Sequence, residues 1–194
     1  MERFIVLAAV KGVLLKHDVI RESVTLGDVS VHSRPAILQT LLGSCVSACL
    51  FDPVARIGGI NHFLLPDGSS GGSAGKSARF GIHAMEILIY RMLESGADKR
   101  RLVAKAFGGA NVLPGISSPT AGEQNVAFLK SFLAKEKVHM VSHRFGGVCA
   151  LQLHFHTCSG RAFIRPLCKE KQQQVVQVEK LAFLDLHMGE LTPY

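Results

Sequence analysis

Tryptophan is absent from this 194-residue chain and tyrosine occurs only twice, which leaves few rings on which nucleobases could stack. Charged residues make up only 19%, and the cations behind the net charge of +7 are scattered in ones and twos, with Lys99-Arg100-Arg101 the only triple. A nucleic-acid binder gathers its Lys and Arg into a patch or stripe. The spread seen here predicts no nucleic-acid partner and describes instead a basic surface suited to acidic protein partners.

A long apolar run is missing too. The longest, Phe4 to Val10, is followed by Lys11 and falls far short of the roughly 20 residues that span a bilayer, so no membrane insertion is expected. Only Glu2 and Arg3 precede it and no small-residue cleavage pattern follows, so it reads as an N-terminal strand or short helix rather than a signal peptide. The five cysteines, Cys45, Cys49, Cys149, Cys158 and Cys168, are odd in number and show no regular disulfide framework, which points to a reducing, cytoplasmic compartment. Internal repeats are absent, and the one low-complexity piece, Gly68 to Gly75, reads as a loop within a domain.

What the chain does have is 47% hydrophobic residues, enough for one well-buried core and too many for a disordered chain. Two helices are signalled. Met85, Leu88, Ile89, Met92 and Leu93 recur at helical spacing before the stop Ser95-Gly96, and a capping box of Thr120 and Glu123 precedes Val126, Leu129, Phe132 and Leu133. Leu151, Leu153 and Phe155 alternate with Gln152, His154 and His156 as in a half-buried strand. Further runs of strand length are Ala36 to Leu42, Val46 to Phe51, Ile57 to Leu65, Leu102 to Phe107 and Ala162 to Leu167. Two main helices among seven or eight strands predict an α+β single domain with a mixed β-sheet core and helices packed on it.

One segment carries chemistry. Cys45 follows Gly43-Ser44, where the chain can turn sharply, expose a sulfur and aim neighbouring N–H groups at whatever the sulfur attacks. A free thiol has a pKa of about 8.5, so a base must take its proton for it to act near neutrality. A strand from Val46, a turn at Asp52-Pro53 and a returning strand would bring His62 back beside it. The competing reading is a buried core cysteine and a hydrogen-bonded core histidine.

With Leu42-Gly43-Ser44-Cys45 and Asn61-His62-Phe63-Leu64-Leu65-Pro66 in this order, the chain resembles the CheD family of chemoreceptor glutamine deamidases. The resemblance runs from about Leu26-Gly27-Asp28-Val29 to about Leu167 and is densest in those two blocks. Lys105 to Ala110, Gly122-Glu123-Gln124-Asn125 and Gly146-Gly147 support it. It implies a CheD-like domain over 25–168, with an extension at 1–24 and a tail at 169–194 outside the match.

The resemblance further implies that Cys45 is the nucleophile and His62 its general base, converting a receptor glutamine to glutamate through a thioester, with methyl-esterase activity on glutamyl esters as related chemistry. It implies chemoreceptors and a CheC-type phosphatase as partners, and no cofactor. The family's third residue is a threonine six before the cysteine, where this chain has Gln39; Thr40 stands one later. Neighbours on a strand face opposite sides: in the register counted back from Cys45, Gln39 faces the pair and its amide oxygen could accept the His62 N–H, whereas Thr40 faces it if a bulge shifts the register before Gly43. Thr40 is preferred as the third catalytic residue because the family uses a hydroxyl, and Gln39 and Ser44 are expected to contact substrate. Ala150-Leu151 stands where the family commonly has a Gly-Arg pair.

Other constellations carry less. His154, His156 and Cys158 would share a strand face with metal-compatible chemistry, but solvated histidines followed by a turn explain them more simply and no metal is expected. Phe107-Gly108-Gly109-Ala110 lacks a nucleotide fingerprint and reads as a tight turn close to the site. Gly68 to Gly75 is either a flap beside the site or an idle loop. A thiol-directed probe is expected to label Cys45 first. The alternative function is a non-catalytic adaptor of the same fold, which would need neither Cys45 nor His62.

Overall fold

The computed structural model describes residues 4–10, 13–64, 81–112 and 119–188. Among these, ten strands form two five-stranded sheets. The first, in the order β1-β2-β4-β9-β10, joins Phe4–Val10, Val13–Ser23, Ala36–Leu42, Leu151–His156 and Arg161–Pro166. The second, in the order β3-β6-β5-β7-β8, joins Val29–His32, Ile57–Asn61, Val46–Asp52, Val103–Gly108 and His139–Phe145. Both sheets are mixed, since β2 runs parallel to β4 and β7 parallel to β8 while the remaining pairs are antiparallel.

The strands alternate as their layers demand. On β5, Val46, Ala48 and Leu50 pack into one cluster with α1 (Gly81–Glu94) and α2 (Ala121–Lys135), while Cys49 faces a second cluster with Leu38, Leu153 and Phe155 of the first sheet. The order is therefore sheet, sheet, helices. A strand buried on both faces reads as a continuous apolar run, which is why Val46 to Phe51 stood out in the sequence. On β9, which has one covered face, Leu151, Leu153 and Phe155 are buried and the residues between them are half-exposed, the alternation the sequence shows.

The α+β class holds, with two stacked sheets in place of one and a third helix, α3 (Lys169–Met188), that the sequence pattern did not signal. The N-terminal apolar run is a strand paired with β2. β2, β3 and β8 carry too many polar residues to read as strands; β8 is exposed or half-exposed along its length. The capping box is present in both directions, with Glu123 N–H donating to Thr120 Oγ1 and Thr120 N–H to Glu123 Oε2. Leu93, expected on the buried stripe of α1, is exposed. The Gly68 to Gly75 segment lies outside the described residues.

Charged groups that looked free are engaged locally. Lys99, Arg100 and Arg101 form a single 3-10 turn capped by Asp98; Lys99 pairs with Glu136, Arg100 with Asp98, and Arg101 with both Asp98 and the fully buried Asp52. Asp52 also accepts from the N–H groups of Val54, Ala55 and Asp98, closing the β5–β6 turn.

The end of β7 meets the start of β5 at close quarters. Gly108, at φ +113°, is so near that an added Cβ would lie 2.1 Å from the Cys45 carbonyl oxygen. Only glycine fits there. Gly108→Ala should lower the unfolding free energy by at least about 2 kcal/mol, from backbone strain and the clash. Urea denaturation of the two proteins measures this, and a variant as stable as the parent would contradict the close approach.

Candidate active site

The site lies between the two sheets, where the chain leaves β4 for the Gly43-Ser44-Cys45 bend and leaves β6 at His62. The β5–β6 ladder gives way at Ala48, whose N–H donates to the side chain of buried Asn61, and resumes as one bridge in which Val46 and Phe63 exchange both backbone hydrogen bonds, at 2.9 and 3.0 Å. Val46 and Phe63 face the helices. Cys45 and His62, one step from each, therefore turn to the opposite side as diagonal neighbours, a placement that brings side chains within reach of each other. His62 is held there by its own backbone, donating to the Asp28 carbonyl and accepting from the Gly27 N–H.

Thr40, on β4 of the other sheet, reaches across the gap. Its hydroxyl lies 2.9 Å from His62 Nδ1, and both residues are buried. Gln39 points to the other face of β4, where its amide donates to Ser23 Oγ at 2.9 Å. No bulge in β4 is needed, because the strand pairs with β9 in unbroken register from Ile37 to Leu42. Counting back from Cys45 puts the wrong residue inward because Gly43-Ser44 is a bend, where strand alternation does not apply.

The Gly43-Ser44-Cys45 bend is clamped by two elements. Gly109 N–H donates to the Cys45 carbonyl at 2.7 Å and Ala110 N–H to the Gly43 carbonyl at 2.8 Å, so the glycine pair after β7 is a turn beside the site. From α2, buried Asn125 donates to the Ser44 carbonyl at 3.2 Å. With their carbonyls tied back, the three successive N–H groups of the bend converge on one point, as in an anion-binding nest.

That point is filled by the side chain of Glu179 from α3. Its Oε1 accepts from the N–H groups of Gly43 (3.0 Å) and Cys45 (3.2 Å) and from the Cys45 thiol (2.8 Å). Oε2 accepts from the Ser44 N–H (2.9 Å) and hydroxyl (2.7 Å). Glu179 is 3% exposed and Cys45 1%. Burial pushes the Cys45 thiol well above its ordinary pKa, and the neighbouring carboxylate adds to this by its charge and by accepting the S–H. Burial lowers the His62 imidazole, partly offset by the same negative charge. His62 Nε2 is buried without a hydrogen-bond partner. Thr40, Cys45, His62 and Glu179 line one cavity of about 510 Å³, with Gln39 at its wall.

The structure thus brings Thr40, Cys45, His62 and Ser44 together and turns Gln39 away from the histidine. Asn125 and Glu179 were missed. Asn125 had a signal, being the one polar side chain on the buried stripe Gly122, Asn125, Leu129 and Leu133 of α2. Glu179 sits in the tail, one turn after Val175 on a helix otherwise rich in glutamine, and nothing local marks it. Probe order is corrected: Cys45 is enclosed while Cys149 and Cys168 are exposed, so the latter two would be labelled first. Cys158 falls in the turn after β9, out of line with His154 and His156, and no cluster of three metal-ligating side chains occurs among the described residues. Nor is any described helix long and apolar enough to cross a membrane.

A family model described as CheD chemotactic sensory transduction matches residues 64–166, beginning just beyond His62. The chain is 46% identical over 162 residues to the probable chemoreceptor glutamine deamidase CheD of Rhizobium leguminosarum bv. trifolii, covering 82% of this chain and 87% of the relative. It is 43% identical over 153 residues to the probable chemoreceptor glutamine deamidase CheD 2 of Chromobacterium violaceum, covering 76% of each. With the probable chemoreceptor glutamine deamidase CheD of Stenotrophomonas maltophilia it shares 43% over 142 residues, 73% of this chain and 71% of the relative. At such identity over most of both lengths, the chain belongs to the CheD family.

Proposed function

We propose that this protein is a chemoreceptor glutamine deamidase of the cytoplasm, with Cys45 as nucleophile, His62 as general base and then acid, and Thr40 as the residue that orients His62. The observation that carries the reading is the nest of N–H groups at 43–45, which already holds an acyl-type side chain against the Cys45 sulfur. Receptors, and a CheC-type phosphatase as regulator, are the partners this reading implies. An adaptor has no use for a buried thiol, an oriented imidazole and three converging donors in one cavity.

The chemistry follows from the groups present. With His62 Nδ1–H donating to Thr40 Oγ1, Nε2 carries the lone pair and takes the Cys45 proton. Sulfur attacks the glutamine Cδ, and the charge that develops on the carboxamide oxygen falls to the N–H groups of Gly43, Ser44 and Cys45. The C–N bond breaks as His62 returns the proton to nitrogen, and ammonia leaves. Water, deprotonated by His62, then adds to the thioester; the C–S bond breaks, glutamate departs and the thiol is restored. A glutamyl methyl ester would lose methanol by the same steps. Ser44 and Gln39 act as substrate contacts, the first through its N–H and hydroxyl, the second from the cavity wall.

Cys45→Ala should reduce deamidation of a co-expressed receptor below detection while the protein stays folded, read by mass spectrometry of the receptor peptides. His62→Ala should cost about two to four orders of magnitude. Because burial raises the thiol, the thiolate is scarce near neutrality and kcat/KM should climb from about pH 6 to 9. A flat profile would remove the Cys-His pair from the rate-limiting step.

Thr40→Val and Gln39→Leu separate the two neighbours. Losing the hydroxyl should lower kcat roughly tenfold, the equivalent of one hydrogen bond. Losing the amide should move KM with kcat within about twofold of the parent. Steady-state kinetics on a receptor fragment reads both, and a kcat loss confined to Gln39→Leu would reverse the assignment.

A further inference from the structure

The mechanism leaves Glu179 unused, although it fills the site. Its carboxylate is the group that glutamine deamidation produces, and each oxygen sits on donors that the reaction needs: Oε1 on the Gly43 and Cys45 N–H groups and the thiol, Oε2 on the Ser44 N–H and hydroxyl. A substrate carboxamide cannot enter while it is there. The thiol, spent as a donor to a carboxylate, is not free to pass its proton to His62.

The described part of the helix up to Leu181 is held lightly. Between Lys169 and Leu181 only Val175 and Glu179 are buried, four residues apart on one stripe. Val175 packs with Ala110, Val112, Ala150 and Leu167, whereas Val178 and Leu181 are 59% and 62% exposed. A segment that buries so little apolar surface belongs to the part of a protein that opens at low free-energy cost. Such an attachment suits an occupant that leaves and returns.

We propose that α3 is an intramolecular product mimic, which docks Glu179 in the glutamine subsite and holds the enzyme in a self-inhibited state until the helix is displaced. This rests on the deamidase reading for its meaning, and the occupancy can be tested without it. An open site binds substrate with its intrinsic affinity, and a closed one weakens apparent affinity in proportion to the fraction closed. A receptor therefore competes with α3 for the same donors.

The test uses the full chain with Glu179→Ala, which empties the nest, and Val175→Asp, which loosens the other anchor at the cavity wall and leaves the thiol and the Gly43-Ser44-Cys45 donors in place. Two rates are measured for each: alkylation of Cys45 by iodoacetamide, located by peptide mass spectrometry, and deamidation of a receptor fragment. Both variants should alkylate Cys45 faster by at least about tenfold, the factor expected when the site is open in roughly one parent molecule in ten or fewer. The alkylation profile of Glu179→Ala should also move to lower pH, because a negative charge next to the thiol is gone. Deamidation should rise in parallel. Unchanged or slower alkylation in both variants would overturn the proposal and make Glu179 a structural brace. Faster alkylation with no deamidation by any of the proteins would leave self-occlusion standing and remove the deamidase reading. Deamidation by the parent, with both rates indifferent to the substitutions, would do the reverse.

Discussion

The paired backbone hydrogen bonds between Val46 and Phe63 are the constraint on which the site depends. Strand geometry assigns faces by alternation, so fixing this one pair toward the helices sends Cys45 and His62 together into the gap between the sheets. The Val46–Phe63 pair keeps the register of Cys49–Ile60, so His62 stands opposite Ser47 at a non-hydrogen-bonded position, with its own N–H and carbonyl turned away from β5 toward Asp28 and Gly27. At the neighbouring pair, buried Asn61 takes the Ala48 N–H with its side chain. Ordinary antiparallel alternation is what leaves the His62 backbone free for the segment before β3 that orients it.

A second requirement is that the Gly43-Ser44-Cys45 bend keep its N–H groups pointing one way. Gly109, Ala110 and Asn125 do this by binding all three carbonyls of the bend, which leaves the peptide planes no other orientation. Donors fixed in advance need not reorganise as charge develops, and that is where a dry site gains over water. Thr40 serves the same end for His62, anchoring one ring nitrogen so that the other is available. The bend and the imidazole are thus each held by elements other than the ones that bear them, and the site draws on both sheets and α2.

How much of this was legible follows from where the information is stored. β4, β5, β9 and α2 could be read because their patterns are set by burial on one or two faces, and the capping box is a contact between residues three apart. β8 could not, because it is edge-exposed and its polar residues carry no alternation. Cys45 and His62 were readable as a pair through the turn at Asp52-Pro53, a short-range feature. The choice between Gln39 and Thr40 was not decidable by counting from Cys45, since the bend at 43–44 interrupts the period of two on which such counting relies. Glu179 lies more than 130 residues from the bend it binds, and contacts at that separation leave no local trace in a single sequence.

The same arrangement that would stabilise a developing oxyanion is a good site for a carboxylate. Three N–H groups, a hydroxyl and a thiol on buried residues are expensive to leave unpaired, and in this structure a carboxylate pairs them all. A catalyst of this design meets its own product with the donors it offers the transition state. Glu179 meets five donors there, while between Lys169 and Leu181 only Val175 is buried beside it. On the proposal that α3 leaves and returns, the balance between these two contacts, rather than the geometry of Cys45 and His62 alone, would set how often the thiol is free to react.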